Sequence, residues 1–352
     1  MKSLVPFILL SAFIVSCGSP EKEANADNMQ QQNQHEKEMT ADSTEAVATL
    51  EEYKVPWDDT RSRDPNVAPD GTVFFAGQVG DYIGSFNPET EEFKEYPLDD
   101  GAGPHTVSVA DNGTVWYTGN TSQHIGKLNP ETGDITKYPM EDDHAQDPHT
   151  IAFADNGNFW FTSQGANGIS YFNVNTGEAT TIAVPTENAL PYGIRMAPDG
   201  ERPYIALLGT NKLATVNPET MEIEEIELPR EDTRPRRLDI LPDGTVWYGD
   251  FMSGYIGRYN PEDGSIEEWM MPDGADSQPY GVLADDQGRI WFATTGFQPN
   301  KLYAFDSDKE EFITGIEIPS GEGAIRHMDF DKETRSLWFG TDTGHIGRLV
   351  LN

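Results

Sequence analysis

A motif of about 44 residues recurs seven times along this chain, and that repeat limits the fold more than any other feature. Each copy reads roughly Pro-x-x-Val/Ile, then turns at Asp-Gly or Asn-Gly. A Trp-Phe or Trp-Tyr strand follows, and in most copies an Ile-Gly strand that ends near Asn-Pro. Every segment is short, and dipeptides such as Asp70-Gly71, Asn112-Gly113 and Asp243-Gly244 suit tight hairpin turns. Repeats of this length built from four short strands predict an all-β, seven-bladed β-propeller over residues 51–352.

The last repeat lacks a fourth strand. Glu51-Glu52-Tyr53-Lys54-Val55-Pro56 has the fourth-strand pattern and precedes the first repeat. Residues 51–56 are therefore expected to complete the seventh blade and remove an exposed edge at the seam. The aromatic column Phe74, Trp116, Trp160, Tyr204, Trp247, Trp291 and Trp338 is expected to pack between blades.

Residues 1–17 read as a lipoprotein signal peptide. Lys2 is followed by an apolar run too short to span a membrane, and Val15-Ser16-Cys17 resembles a bacterial lipobox. Cys17, the only cysteine, would carry the lipid, leaving no thiol for disulfides or catalysis in the mature domain. Residues 18–50, polar and poor in branched and aromatic residues, read as a disordered acidic tether. Together these features predict a monomeric protein of the bacterial cell envelope, touching the membrane only through its lipid anchor. The formal net charge of −36 argues against nucleic acid and anionic lipid as partners.

A propeller gathers equivalent residues of every blade around one channel. The position after the proline, which is replaced by Ser62 in the first copy and Ile325 in the last, reads Arg63, His105, His149, Tyr192, Arg236, Tyr280 and Arg326. Three arginines in so acidic a chain suggest a positive funnel for a small polar or anionic substrate; pairing with nearby carboxylates is the competing reading. Asp147, Ser163 and Asp250 fall in neighbouring columns as candidate metal ligands. His35, His124, His144 and His345 lie away from these columns and are expected to face solvent.

Pro104-His105-Thr106-Val107, Pro191-Tyr192-Gly193-Ile194, the Asn-Gly-x-x-Trp-Phe segments and Ile125-Gly126-Lys127-Leu128 resemble the repeats of the streptogramin B lyase (virginiamycin B lyase) family. The resemblance covers residue 51 to the end. It implies a carbon–oxygen lyase that opens a cyclic depsipeptide by elimination, with magnesium as cofactor. On that pattern His149 would be the general base, His105 would position or polarise the substrate, and Asp147 would help hold the metal. Ser163 stands where the family carries a second Glu. Arg63, Arg236 and Arg326 would draw in a carboxylate or ester oxygen, with Tyr192 and Tyr280 beside them. An acidic sugar is an alternative substrate. A lipoprotein that binds an anionic small molecule or peptide without catalysis, or a lactonase-like hydrolase, are alternative functions.

Overall fold

The computed structural model describes residues 47–58 and 60–352. The signal peptide, Cys17 and the tether as far as residue 46 lie outside the described residues. The described chain forms seven four-stranded antiparallel sheets, as expected. In six of them the strands follow chain order from the channel outward. The seventh runs Met328–Asp331, Ser336–Gly340 and His345–Leu351, and its outermost strand is Ala48–Lys54.

The closing strand pairs antiparallel with His345–Leu351, from Ala48 opposite Leu351 to Lys54 opposite His345. It begins at Ala48, inside the span expected as tether, and ends two residues before Pro56. The shift has an apolar cause. Ala48 and Leu50 pack against the cluster holding Leu349 and Leu351, which a strand beginning at Glu51 would leave uncovered.

The aromatic column does join blades. Trp116 of blade 2 packs with Phe159 and Phe172 of blade 3. Trp160 packs with Ile194 and Ile205, Trp247 with Val282 and Phe292, and Trp291 with Met328 and Leu337. Trp338 of blade 7 packs with Val73 and Phe75 of blade 1 across the seam. Phe74 and Tyr204 hold the remaining two junctions. Each junction buries several large side chains at roughly 1.5–3 kcal/mol apiece, so the ring is held mainly by contacts between neighbours.

The recurring Ile-Gly also has a packing reason. The Tyr117 ring lies over Gly126 so closely that a Cβ there would stand 2.0 Å from it. Only a residue without a side chain admits the ring.

The innermost strands set up the channel. In five blades the pairing of first and second strands slips by one residue just after the strand starts, as between Pro148 and Ile151. Such a bulge breaks the alternation of side chains and re-aims them. Thr118 and Thr162 brace it. Thr118 Oγ1 accepts from Thr106 N at 3.0 Å and donates to the His149 carbonyl of the next blade at 3.0 Å. Thr162 does the same between Thr150 N and the Tyr192 carbonyl.

Candidate functional site

Two consecutive residues contribute side chains to the channel in five blades, at the bulge in blades 1 to 3 and just ahead of the inner strand in blades 5 and 7. The upper tier is the expected column, Arg63, His105, His149, Tyr192, Arg236, Tyr280 and Arg326. His105 and His149 are buried with ring centroids 3.5 Å apart, and His149 lies 4.0 Å from the Tyr192 ring. Tyr192 and Tyr280 share a hydrogen bond of 2.5 Å between their hydroxyls. The Arg236 guanidinium stacks 3.8 Å from the Phe251 ring and 4.6 Å from that of Tyr280. Arg326 pairs with Asp342, which also meets Arg61 at 3.0 Å.

Arg63 has more unmet donors than its neighbours, of which Arg236 leaves one, its Nε. Its Nη1 donates to Gln78 at 2.9 Å, while its Nε and Nη2 are buried without a hydrogen-bond partner. The nearest carboxylate to Nε, that of Asp64, is 4.0 Å away.

The lower tier was not legible as a site in the sequence. It contains Asp64, Thr106, Thr150, Arg237 and His327, all buried. Arg237 Nη2 donates to Asp64 Oδ2 at 2.8 Å and Nη1 to Thr150 Oγ1 at 3.0 Å. Its Nε reaches the Arg326 carbonyl at 3.1 Å. Thr106 Oγ1 donates to the same Asp64 oxygen at 2.8 Å. A period-two strand would turn this tier into the blade. The signal available was the tandem of polar residues at Arg63-Asp64, Arg236-Arg237 and Arg326-His327. Acidic groups are thus not confined to the neighbouring columns, since Asp64 sits at the centre.

The electrostatics follow from burial beside guanidiniums. His105 and His149 have pKa values well below 6.5, first through desolvation and then through Arg63 and Arg237, so both are neutral at pH 7. His327 is depressed likewise, by desolvation and then Arg195. Burial would raise Asp64, but Arg237, His327 and Arg63 outweigh it and hold the carboxyl ionised. Burial would also raise Tyr280, yet Arg63 and Arg236 lower its phenol, while Tyr192 is pushed up to about 12 by burial and by Tyr280.

Two of the three candidate metal ligands are engaged elsewhere. Both Asp147 oxygens accept backbone amides, from Gly165 at 2.6 Å and Ala166 at 3.0 Å. Asp250 caps its own loop at Met252 and Ser253 and faces Arg230 at 3.5 Å. Ser163 Oγ is buried without a partner. Among the described residues no three His, Cys, Asp or Glu side chains converge as a metal-binding group. These donors do not fit a divalent cation.

His124 departs from expectation. It is buried, with Nε2 3.0 Å from the Tyr117 hydroxyl and Nδ1 2.9 Å from Ser122 Oγ. His144 is exposed, His345 is half-buried, and His35 lies outside the described residues.

The sequence profile of the virginiamycin B lyase family matches residues 48–349. The chain belongs to that family. No curated protein matches it. A solved streptogramin B lyase superposes with a TM-score of 0.78 at 24% identity, covering 88% of this chain and all of that one. Virginiamycin B lyase from Staphylococcus aureus gives 0.77 at 23%, over 87% of this chain and all of that one. Hydrazine synthase from Kuenenia stuttgartiensis gives 0.69 at 14%, over 85% of this chain and 97% of that one. Identities this low establish the propeller, and propellers carry unrelated chemistries. For this member of the virginiamycin B lyase family they assign no activity.

Proposed function

We propose that this protein binds a small anionic ligand at the channel mouth, with a carboxylate seated against Arg63 between Arg236 and Arg326. The supporting observation is the pair of buried, unpartnered Arg63 donors, Nε and Nη2. An unmet buried donor on a charged group costs about 1–3 kcal/mol or more, and a carboxylate relieves it with two charge-assisted bonds. Charge agrees. Four guanidiniums (Arg63, Arg236, Arg237 and Arg326) meet two carboxylates, Asp64 and Asp342, and Arg61 shares the second.

Calorimetric titration of the full-length chain with 3-phenylpropanoate and with uncharged 3-phenylpropan-1-ol tests this. The carboxylate is expected to bind at least roughly tenfold more tightly, a difference of about 1.4 kcal/mol. Arg63→Gln should erase that preference. Equal affinity for acid and alcohol in the unmodified protein would overturn the reading.

A second reading is favoured by His105 and His149, a neutral pair beside guanidiniums. A neutral imidazole can take a proton next to a carbonyl, and the arginines can stabilise the resulting negative charge. The reaction would be a carbon–oxygen elimination with His149 as base. Incubation with a streptogramin B antibiotic should then yield a ring-opened product of unchanged mass, absent with His149→Ala. Depressed basicity weighs against this reading, because a base with so low a pKa drives proton removal poorly.

In either case Cys17 is proposed to carry a lipid that tethers a monomeric propeller at the cell envelope. Metabolic labelling with a fatty-acid analogue, lost in Cys17→Ser, tests the anchor.

A further inference from the structure

The arginines occupy only part of the mouth. Tyr192, Leu208, Tyr280 and Ala324 form a buried apolar cluster with Leu190 and Phe251 packed against it. The other seven clusters each join two neighbouring blades, whereas this one draws on blades 4 to 7 at their channel ends. Leu208 and Phe251 directly follow their second strands, and Leu190 directly precedes an inner strand. All three therefore sit at the end of the channel where Arg63 and Arg326 stand.

The rim above is apolar as well. Of the four large hydrophobic residues most exposed among those described, three occupy loops between second and third strands. Val79 follows Val73–Gly77, Met252 follows Val246–Asp250, and Phe297 follows Arg289–Thr294. Antiparallel pairing puts these loops, in blades 1, 5 and 6, on the same face as the channel mouth. Exposed side chains of this size gathered round a cationic throat mark a binding surface more than chance.

We infer that the ligand is an amphipathic carboxylate, a hydrophobic or aromatic acid whose charged head meets Arg63 and Arg326 and whose apolar body lies on Phe251, Leu190 and Leu208. The assignment rests on the anion-binding reading and adds the second half of the molecule. Arg236 links the halves, since its guanidinium lies 3.8 Å from the Phe251 ring and 4.6 Å from the Tyr280 ring, two rings set nearly perpendicular to each other. Phe251, half-buried, keeps ring surface for an apolar group.

A homologous series tests it on the unmodified full-length chain. Acetate, butyrate, hexanoate and 3-phenylpropanoate are titrated calorimetrically at one ionic strength. Affinity should rise about fourfold per added methylene, equivalent to about 0.8 kcal/mol each, until the apolar wall is covered. Phe251→Ala should flatten that slope while keeping the preference for 3-phenylpropanoate over 3-phenylpropan-1-ol. Phe251→Leu should restore part of the slope, which separates lost packing from misfolding. A flat series with the acid-over-alcohol preference intact would refute the amphipathic ligand and leave the anion-binding reading standing. Loss of that preference would overturn the reading beneath it.

Discussion

Arg237 of blade 5 and Asp64 of blade 1 meet across the channel, Nη2 to Oδ2, at 2.8 Å. Both side chains are almost wholly removed from water, at 4% and 0% exposure. The pair ties two blades that are not neighbours in the ring. It also neutralises the channel floor, so the surplus positive charge lies above it at the mouth.

Removing one partner would leave the other buried and uncompensated. Arg237→Met should therefore destabilise the protein by about 3–5 kcal/mol in urea unfolding. The double variant Asp64→Asn with Arg237→Met should recover part of that loss. A double variant as unstable as the sum of the two singles would show that the pair is not coupled.

Closure of the ring depends on Ala48–Lys54. Deleting it exposes Leu349, Leu351 and the free edge of His345–Leu351. A sharp fall in melting temperature is expected, with aggregation on heating. An unchanged melting temperature would mean that the seventh blade holds as three strands.

Two glycines should respond differently to alanine. At Gly126 the added methyl meets the Tyr117 ring, and a cost of about 1–3 kcal/mol is expected. At Gly133 nothing lies within 4 Å, and only the positive φ of 79° resists, at about 1 kcal/mol. Chemical unfolding of both variants would rank them, and equal costs would remove the steric account of the Ile-Gly motif.

Stability should fall with acidification before the carboxylates titrate. His105, His149 and His327 have folded pKa values below the unfolded value of about 6.5, so below that pH the unfolded chain binds more protons. Their contribution is complete above about pH 6.5 and is lost as pH falls, at up to about 1.4 kcal/mol per unit for each histidine. Asp147, Asp250 and Asp329, with pKa values raised by burial, oppose this at lower pH. Urea unfolding from about pH 7.5 to about pH 5 should show the slope, and His327→Gln should reduce it. A slope unchanged in that variant would remove His327 from the account.

The ring itself was readable from residues alone. Repeat length, Asp-Gly turns, the aromatic column and the stray fourth strand at the N-terminal end depend on local propensity and periodicity, which a linear sequence displays. The upper tier of the channel was readable too, because it follows one proline column. The lower tier was not. Asp64 reaches the channel at a bulge, where one slipped residue reverses which side chains face inward, while Arg237 and His327 do so from just ahead of the inner strands Leu238–Ile240 and Met328–Asp331. Partnership was also invisible. Asp147 looked like a metal ligand by position, but its oxygens close a loop at Gly165 and Ala166. Arg63 looked like its fellow arginines, yet it alone keeps two buried donors unmet while Arg326 is paired and Arg236 stacked. Sequence determined which blades form and what chemistry lines their inner ends. Tertiary structure decided which of those charges cancel and which stay available, because that depends on distances between blades far apart in the chain.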